Sequence, residues 1–265
     1  PNRKPIIMMK KTTLFSLLVP AALLVGCHER SAVNGLTVEM LDCPLGVAAE
    51  HPRLSWRIES ALPATVQTGY RILVSTDPGD LETGENLIWD SGDVQSDRSV
   101  LVPYEGPELE SRRDYYWKVR VATNHGDTLW SEPSRWSMAL LDDSDWQARW
   151  IGYDSCLNRT DTLGVFSRLA ARYLRKEFDA GRDIAQARLY ISGLGLYECY
   201  LNGCRVGEDV LAPTATDYTK TVCYNVYDVT DLLDEGVNTI GVILGNGRFF
   251  SMRTVIYTIP FTQVT

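Results

Sequence analysis

Thiols, imidazoles and carboxylates are where chemistry would begin in this chain, and their spacing gives it little to work with. The three histidines, His28, His51 and His125, are scattered, so neither a metal cluster nor a histidine-based triad has support. The six cysteines, Cys27, Cys43, Cys156, Cys199, Cys204 and Cys223, show no zinc-ligand spacing. Cys199 and Cys204 flank an Asn202-Gly203 turn and invite a disulfide. With those two residues as the turn, Leu201 faces Cys204 and Cys199 faces Val206. The sulfurs are then diagonal neighbours, with Cβ atoms roughly 6–7 Å apart against the ~3.8 Å a bridge needs. Apart from Cys27, the cysteines read as mostly buried small apolar residues. The carboxylates have plain roles: Asp228 ends a strand before Thr230, Glu198 is a charge on a strand face, and Asp217 sits in a loop. No residue is assigned a catalytic role, no metal ligand is assigned, and no cofactor is implied.

Strands must position whatever chemistry there is. Ala187, Leu189 and Ile191 alternate with Arg188, Tyr190 and Ser192, the period of a half-buried strand. Leu196–Leu201 is a second strand ending at Asn202-Gly203, a short hairpin signal because both turn residues take positive φ. Tyr224–Val229 alternates again, Thr230–Leu233 is a short turn or helical piece, and Thr239–Leu244 is an apolar strand before the tight turn Gly245-Asn246-Gly247. Upstream, Tyr115, Trp117, Val119 and Val121 alternate with Tyr116, Lys118 and Arg120, burying an aromatic-rich face, with Trp56 as a core partner. Short strands with closely spaced turn signals predict an all-β chain: two antiparallel β-sandwich domains in tandem.

The first residues read as an address rather than a fold. Met8 and Met9 precede Lys10-Lys11, and Thr12–Leu24 is a mostly apolar run too short to span a bilayer comfortably. The run ends in Leu24-Val25-Gly26-Cys27, which resembles a bacterial lipobox; Cys27 is the expected lipid attachment residue. Multiple acyl chains on one terminus give stable anchoring. His28 and Glu29 follow, with no inner-membrane retention Asp, so the expected location is the outer membrane, on its periplasmic or surface face. A net charge of −8 and a pI near 5.0 argue against nucleic acid or an anionic membrane surface as partner.

Tyr173–Arg253 contains LYISGLGLYECYLNG, DVLAPTATDY, YNVYDVTDLL, EGVNTIGV and LGNGRFFSMR. These segments resemble the β-sandwich that precedes the catalytic barrel of bacterial α-L-rhamnosidases. The segment Leu36–Ile58, with its PLG and PRLSW motifs, and the later YRILVSTDP, LIWDSGDVQS and WSEPSRWSM resemble the fibronectin-III/Ig-like N-terminal domain of the same family. The resemblance covers nearly the whole of Leu36–Arg253. It divides the chain into 1–27 (upstream residues and lipoprotein signal peptide), 28–35 (linker), 36–141 (fibronectin-III-like sandwich), 142–172 (inter-domain linker) and 173–265 (rhamnosidase N-terminal, jelly-roll-like sandwich, incomplete at its C-terminal end). Trp146 and Trp150 of the linker are expected to pack between the sandwiches.

The resemblance implies an inverting glycoside hydrolase. Such enzymes set two carboxylic groups about 6.5–9.5 Å apart. In the family both lie in an (α/α)6 barrel downstream, so the chain is expected to be inactive alone. The implied partners are a rhamnose-containing glycan or glycoside, the C-terminal catalytic domain of the same protein, and the membrane through the lipid anchor. Arg248, Asn246 and Tyr218 are the candidate sugar contacts. Against that stands the plainer reading in which the tyrosines are packing and Asn246 serves its turn. The alternative to an enzyme's accessory region is a non-catalytic, surface glycan-binding lipoprotein.

Overall fold

The structure is a computed structural model that describes residues 31–152, 162–163, 166–167 and 171–249. The lipobox and Cys27 lie outside the described residues.

The first unit contains β1 (Ala32–Val38), β2 (Arg53–Glu59), β3 (Gln67–Ser75), α1 (Pro78–Thr83), β4 (Trp89–Asp90), β5 (Val102–Pro103), β6 (Asp114–Thr123), β7 (Thr128–Trp130) and β8 (Ser134–Ser137). Two antiparallel sheets face each other. One has the order β1-β2-β5; the other runs β4-β3-β6-β7, with β8 also paired to β6. The alternation along β6 does what its period predicts: Tyr115, Trp117, Val119 and Val121 are buried and meet Trp56, Ile72, Tyr104 and Trp136 in one core. Tyr115 and Trp136 stack with centroids 5.3 Å apart. The indole of Trp56 donates to Gln67 Oε1 at 2.9 Å, and the Gln67 amide donates on to the carbonyls of Ser96 and Arg98. That removes the cost of a buried polar group in an aromatic core.

The second unit follows two short paired strands, β9 (Thr162–Leu163) and β10 (Phe166–Ser167), and contains β11 (Arg172–Asp179), β12 (Arg188–Ser192), β13 (Leu196–Leu201), β14 (Cys204–Arg205), β15 (Tyr224–Asp228) and β16 (Val237–Gly245). One antiparallel sheet has the order β11-β16-β13-β14; β12 and β15 form a two-stranded sheet opposite it. The hairpin turn is at Asn202-Gly203, with φ of 50° and 84°. Asn202 does more than turn the chain. Its side chain receives Thr239 N–H and donates to Leu232 O and to Asn238 Oδ1. The buried Asn238 amide in turn holds the carbonyls of Asp234 and Gly236. Between the sheets, Tyr197, Cys199, Leu201, Val206, Ala212 and Val229 form the core.

The cores differ in depth. The largest fully buried side chains, from Trp56 and Trp117 to Val121, all belong to the first unit. In the second, the apolar residues Phe178, Leu189, Ile191, Ile240, Val242 and Leu244 are only half-buried.

A polar and aromatic joint binds the units. The Arg188 guanidinium pairs with Asp114, with only 9% and 21% of the two side chains exposed. It also donates to Arg112 O at 3.0 Å and to Ser137 Oγ at 2.9 Å. Burial alone would lower the Arg188 pKa, but the Asp114 carboxylate and Tyr190 outweigh it and hold the guanidinium above its ordinary value. Beside this pair, Leu140 N–H donates to the Tyr224 hydroxyl at 2.9 Å, and Trp146 packs on Tyr224 at 5.5 Å. Val226 lies directly under Gly46, whose φ is +74°; a Cβ there would come within 2.7 Å of the valine. Trp146 therefore lies between the units as its position predicts. Trp150 does not: it is 49% exposed, beyond the reach of the joint.

Two outcomes follow from these differences in packing. Residues 36–141 alone should melt cooperatively and reversibly, whereas 173–265 alone should not; a cooperative, reversible melt of 173–265 in circular dichroism would overturn this. Asp114→Ala in the whole chain should cost roughly 2–3 kcal/mol, because Arg188 stays buried without its partner. Urea denaturation checks this, and a cost below about 0.5 kcal/mol would mean that the pair is worth no more than a surface ion pair.

Candidate functional site

The β13–β14 hairpin sorts its residues between two environments. Tyr197, Cys199 and Leu201 point into the core, while Leu196, Glu198 and Tyr200 face outward. On the inner side the Tyr197 hydroxyl donates to Asn225 Oδ1 at 3.0 Å and lies 3.4 Å from the Tyr227 hydroxyl. Tyr227 donates to Asp209 Oδ2 at 2.9 Å, and the Asn225 amide approaches the same oxygen at 3.4 Å. Burial raises the pKa of both phenols, so they stay protonated and able to donate across the neutral range. This network ties β13 to β15 and fixes the loop that carries Asp209.

That loop closes one side of a cleft of about 240 Å³. Leu196, Glu198, Ile243 and Gly245 come from the outer face of the sheet, Arg205 from β14, and Asp209, Val210 and Leu211 from the loop. The loop is held by paired backbone bonds, with Tyr197 N–H donating to Ala212 O at 2.7 Å, and by Arg205, which donates to Asp209 O at 2.7 Å. Val210 and Leu211 are left 78% and 69% exposed at the rim. Glu198 accepts from the Tyr200 hydroxyl at 2.8 Å, and this hydrogen bond is the main reason the Tyr200 phenol titrates above its usual range.

The residues singled out in the sequence fall beside this cleft rather than in it. Tyr218 meets Phe249 edge-on at 5.4 Å. Its hydroxyl is buried, and desolvation raises its pKa despite the nearby positive charge of Arg248. Asn246 and Arg248 share the turn after β16, so the structure does bring Tyr218 to that turn; none of the three lines the cleft. Tyr224 and Tyr227 are committed to the inter-unit joint and to Asp209. Asp228 accepts from the hydroxyl and the N–H of Thr230, and Asp217 does the same for Thr219. Sequence reasoning missed Arg205, Asp209 and the pair Val210-Leu211. Their one signal is an apolar pair standing among polar loop residues, which becomes a wall only once the loop is folded back along β13.

The cysteines need a correction. Cys199 is buried and Cys223 half-buried, but Cys43 and Cys204 are exposed, and all of these are free thiols. Cys43 sits in a tight turn at φ +44°, and Cys204 lies on the two-residue edge strand β14, where no second sheet covers it. Among the described residues, no group of three or more His, Cys, Asp or Glu side chains is placed to hold a metal ion.

Burial pushes the Cys199 thiol up to about 11, so at pH 8 it is protonated and poorly nucleophilic. Alkylation at pH 8 followed by peptide mapping should label Cys43 and Cys204 quickly, and Cys199 only after denaturation. Labelling of Cys199 as fast as Cys204 would show that the second core opens readily.

Comparison with known proteins adds the following. Residues 33–142 match the family of Rha78A-like N-terminal immunoglobulin domains, and residues 182–259 match the α-L-rhamnosidase N-terminal domain. An α-L-rhamnosidase of Formosa agariphila is 35% identical over 259 residues, covering 89% of this chain and 27% of that protein. The structure of an α-L-rhamnosidase from Dictyoglumus thermophilum superposes with a TM-score of 0.74 at 36% identity, over 82% of this chain and 25% of that one. The enzyme of Aspergillus terreus gives 0.65 at 30% identity, over 83% of this chain and 24% of that one. The chain thus spans about a quarter of the length of the curated relatives it matches.

Proposed function

We propose, from the N-terminal domain pair of the α-L-rhamnosidase family that this chain carries, that it is the accessory region of an exported enzyme that removes terminal α-L-rhamnose from glycans or glycosides. One observation carries this reading: both sandwiches match, in order, the start of relatives some four times longer. The catalytic pair then belongs to a domain that follows in the complete polypeptide. Here the sandwiches hold that domain in place and frame its approach. The thin second core supports this, since half-buried strands such as β12 and β16 leave apolar surface for further chain to cover.

The lipobox-like ending at Cys27 supports export and attachment to the outer membrane by acyl chains. Among the described residues no helix is long and apolar enough to cross a membrane. A surface lipoprotein that captures rhamnose-containing glycans without cleaving them is the second reading, favoured by the exposed cleft at Arg205 and Leu211.

An antibody against residues 36–141, used on the source organism, should detect a protein several times larger than 29.7 kDa. That protein should release p-nitrophenol from its α-L-rhamnoside, whereas the 265-residue chain should not. A native band near the size of this chain would remove hydrolysis and leave glycan capture. Growth with a labelled fatty acid should mark the native protein, and Cys27→Ser should abolish the label; label retained in the variant would end the lipoprotein assignment.

A further inference from the structure

The outer face of the sheet β11-β16-β13-β14 is paved in a way that neither the fold nor the joint explains. Pairing register sets Tyr173, Ile243 and Glu198 in one row, and Arg175, Gly241, Tyr200 and Arg205 in the next. Nothing lies within 4 Å of where a side chain on Gly241 would begin, so the middle of the face is an open floor of bare backbone. Tyr173 beside it is 78% exposed and close enough to Tyr200 for the two phenols to feel each other's charge. A sheet face in water ordinarily carries threonines and scattered charges. This one carries aromatic rings around a glycine and leads into the cleft walled by Val210 and Leu211.

The polar groups are matched to a neutral ligand. Glu198 spends one carboxylate oxygen, Oε2, on the Tyr200 hydroxyl and has Oε1 left to accept. Arg205 spends one amino group on Asp209 O and has the rest of its fork left to donate. Acceptor and donor of opposite charge line one cleft, so a charged ligand gains little there, whereas adjacent hydroxyls satisfy both at once. The tyrosine rings suit the C–H face of a pyranose. Ile243, Val210 and Leu211 are apolar, so they reward a methyl group and penalise a hydroxyl at the same position. A volume of about 240 Å³ fits one sugar ring rather than a chain.

We propose that this face and its cleft form a saccharide subsite that takes a single 6-deoxyhexose residue of a glycan. Glu198 and Arg205 hold its hydroxyls, Tyr200 and Tyr173 form the platform, and Val210 and Leu211 receive its methyl. The identity of the sugar as L-rhamnose rests on the rhamnosidase reading; the site itself does not.

Calorimetric and NMR titration of the 265-residue chain with L-rhamnose tests this. Saturable binding is expected at ~1 mM, the weak end of sugar recognition. L-lyxose, which lacks the methyl, should bind several-fold more weakly. Glu198→Ala and Arg205→Ala should each weaken L-rhamnose about tenfold while leaving the melting temperature unchanged, since both side chains are exposed. Absence of saturable binding would overturn the proposal, as would binding that neither variant alters. In the longer native polypeptide, hydroxyl-radical footprinting should modify Tyr173 and Tyr200 in the absence of sugar. Protection of both there would overturn it too, by showing that the face docks another part of the protein. None of these failures touches the accessory role, which mass and hydrolysis decide.

Discussion

A guanidinium withdrawn from water must be compensated in full where it lies, and Arg188 is compensated almost entirely by the other unit. Its ion pair is with Asp114 at the start of β6, and its further bonds go to Arg112 O and Ser137 Oγ. Coulomb attraction in so enclosed a place is strong but short-ranged and directional, and it fails once the partners separate. The pair thus acts as a register pin. It fixes β12 against the β6–β8 end of the first unit, and the neighbouring contacts between Trp146, Tyr224 and Leu140 close around it. Everything beyond β12, including the hairpin and its cleft, inherits its placement from that joint.

Dependence runs in one direction because the cores are unequal. The first unit buries indoles and phenols completely and satisfies their polar atoms internally. Its stability needs nothing from its neighbour. The second unit has a small core of mostly modest side chains, and its two-stranded sheet is half-buried throughout. Much of its order comes instead from hydrogen bonding, in the Asn202–Asn238 pair and in the chain from Tyr197 to Asp209. Such networks specify geometry well but contribute little net free energy per bond. A unit built this way is positioned accurately and held weakly, which suits a region that serves as a mount between larger bodies.

What the sequence made legible follows the same line. Period-two alternation located β6, β13 and β15, and Asn202-Gly203 located the hairpin turn, because each rests on local chemistry that tertiary context did not override. Trp150 was not legible: an indole in a linker packs or stays exposed according to a surface that lies elsewhere in the chain. Cys43 and Cys204 failed for a related reason. Small apolar residues are buried only if a second layer covers them, and whether an edge strand is covered is not written in its own residues. The first strand also begins at Ala32, ahead of Leu36, since the Ser31–Gly35 segment shows no alternation of its own and is drawn into the sheet by pairing with β2. The cleft was the least legible feature. Glu198, Arg205, Asp209 and Leu211 meet only after the chain turns at Gly203 and doubles back along β13 to the bridge at Ala212.

The hairpin thereby links structure and recognition through its own alternation. Tyr197, Cys199 and Leu201 are spent on the core, so Glu198 and Tyr200 must face outward, and the register with β16 sets Ile243 and Gly241 beside them. A shift of one residue in that pairing would put carboxylate and phenol into the core and the core residues into water. The polar bond from Tyr227 to Asp209 guards against this from outside the sheet. It fixes the loop that Arg205 also grips, and that loop is anchored to β13 at Tyr197. The composition of the outer face is therefore set by the same contacts that hold the inner one. Any substitution that loosens the Tyr197–Asn225–Tyr227–Asp209 chain should alter the cleft before it alters the fold, because the loop is the least buried member of the network and the first to move.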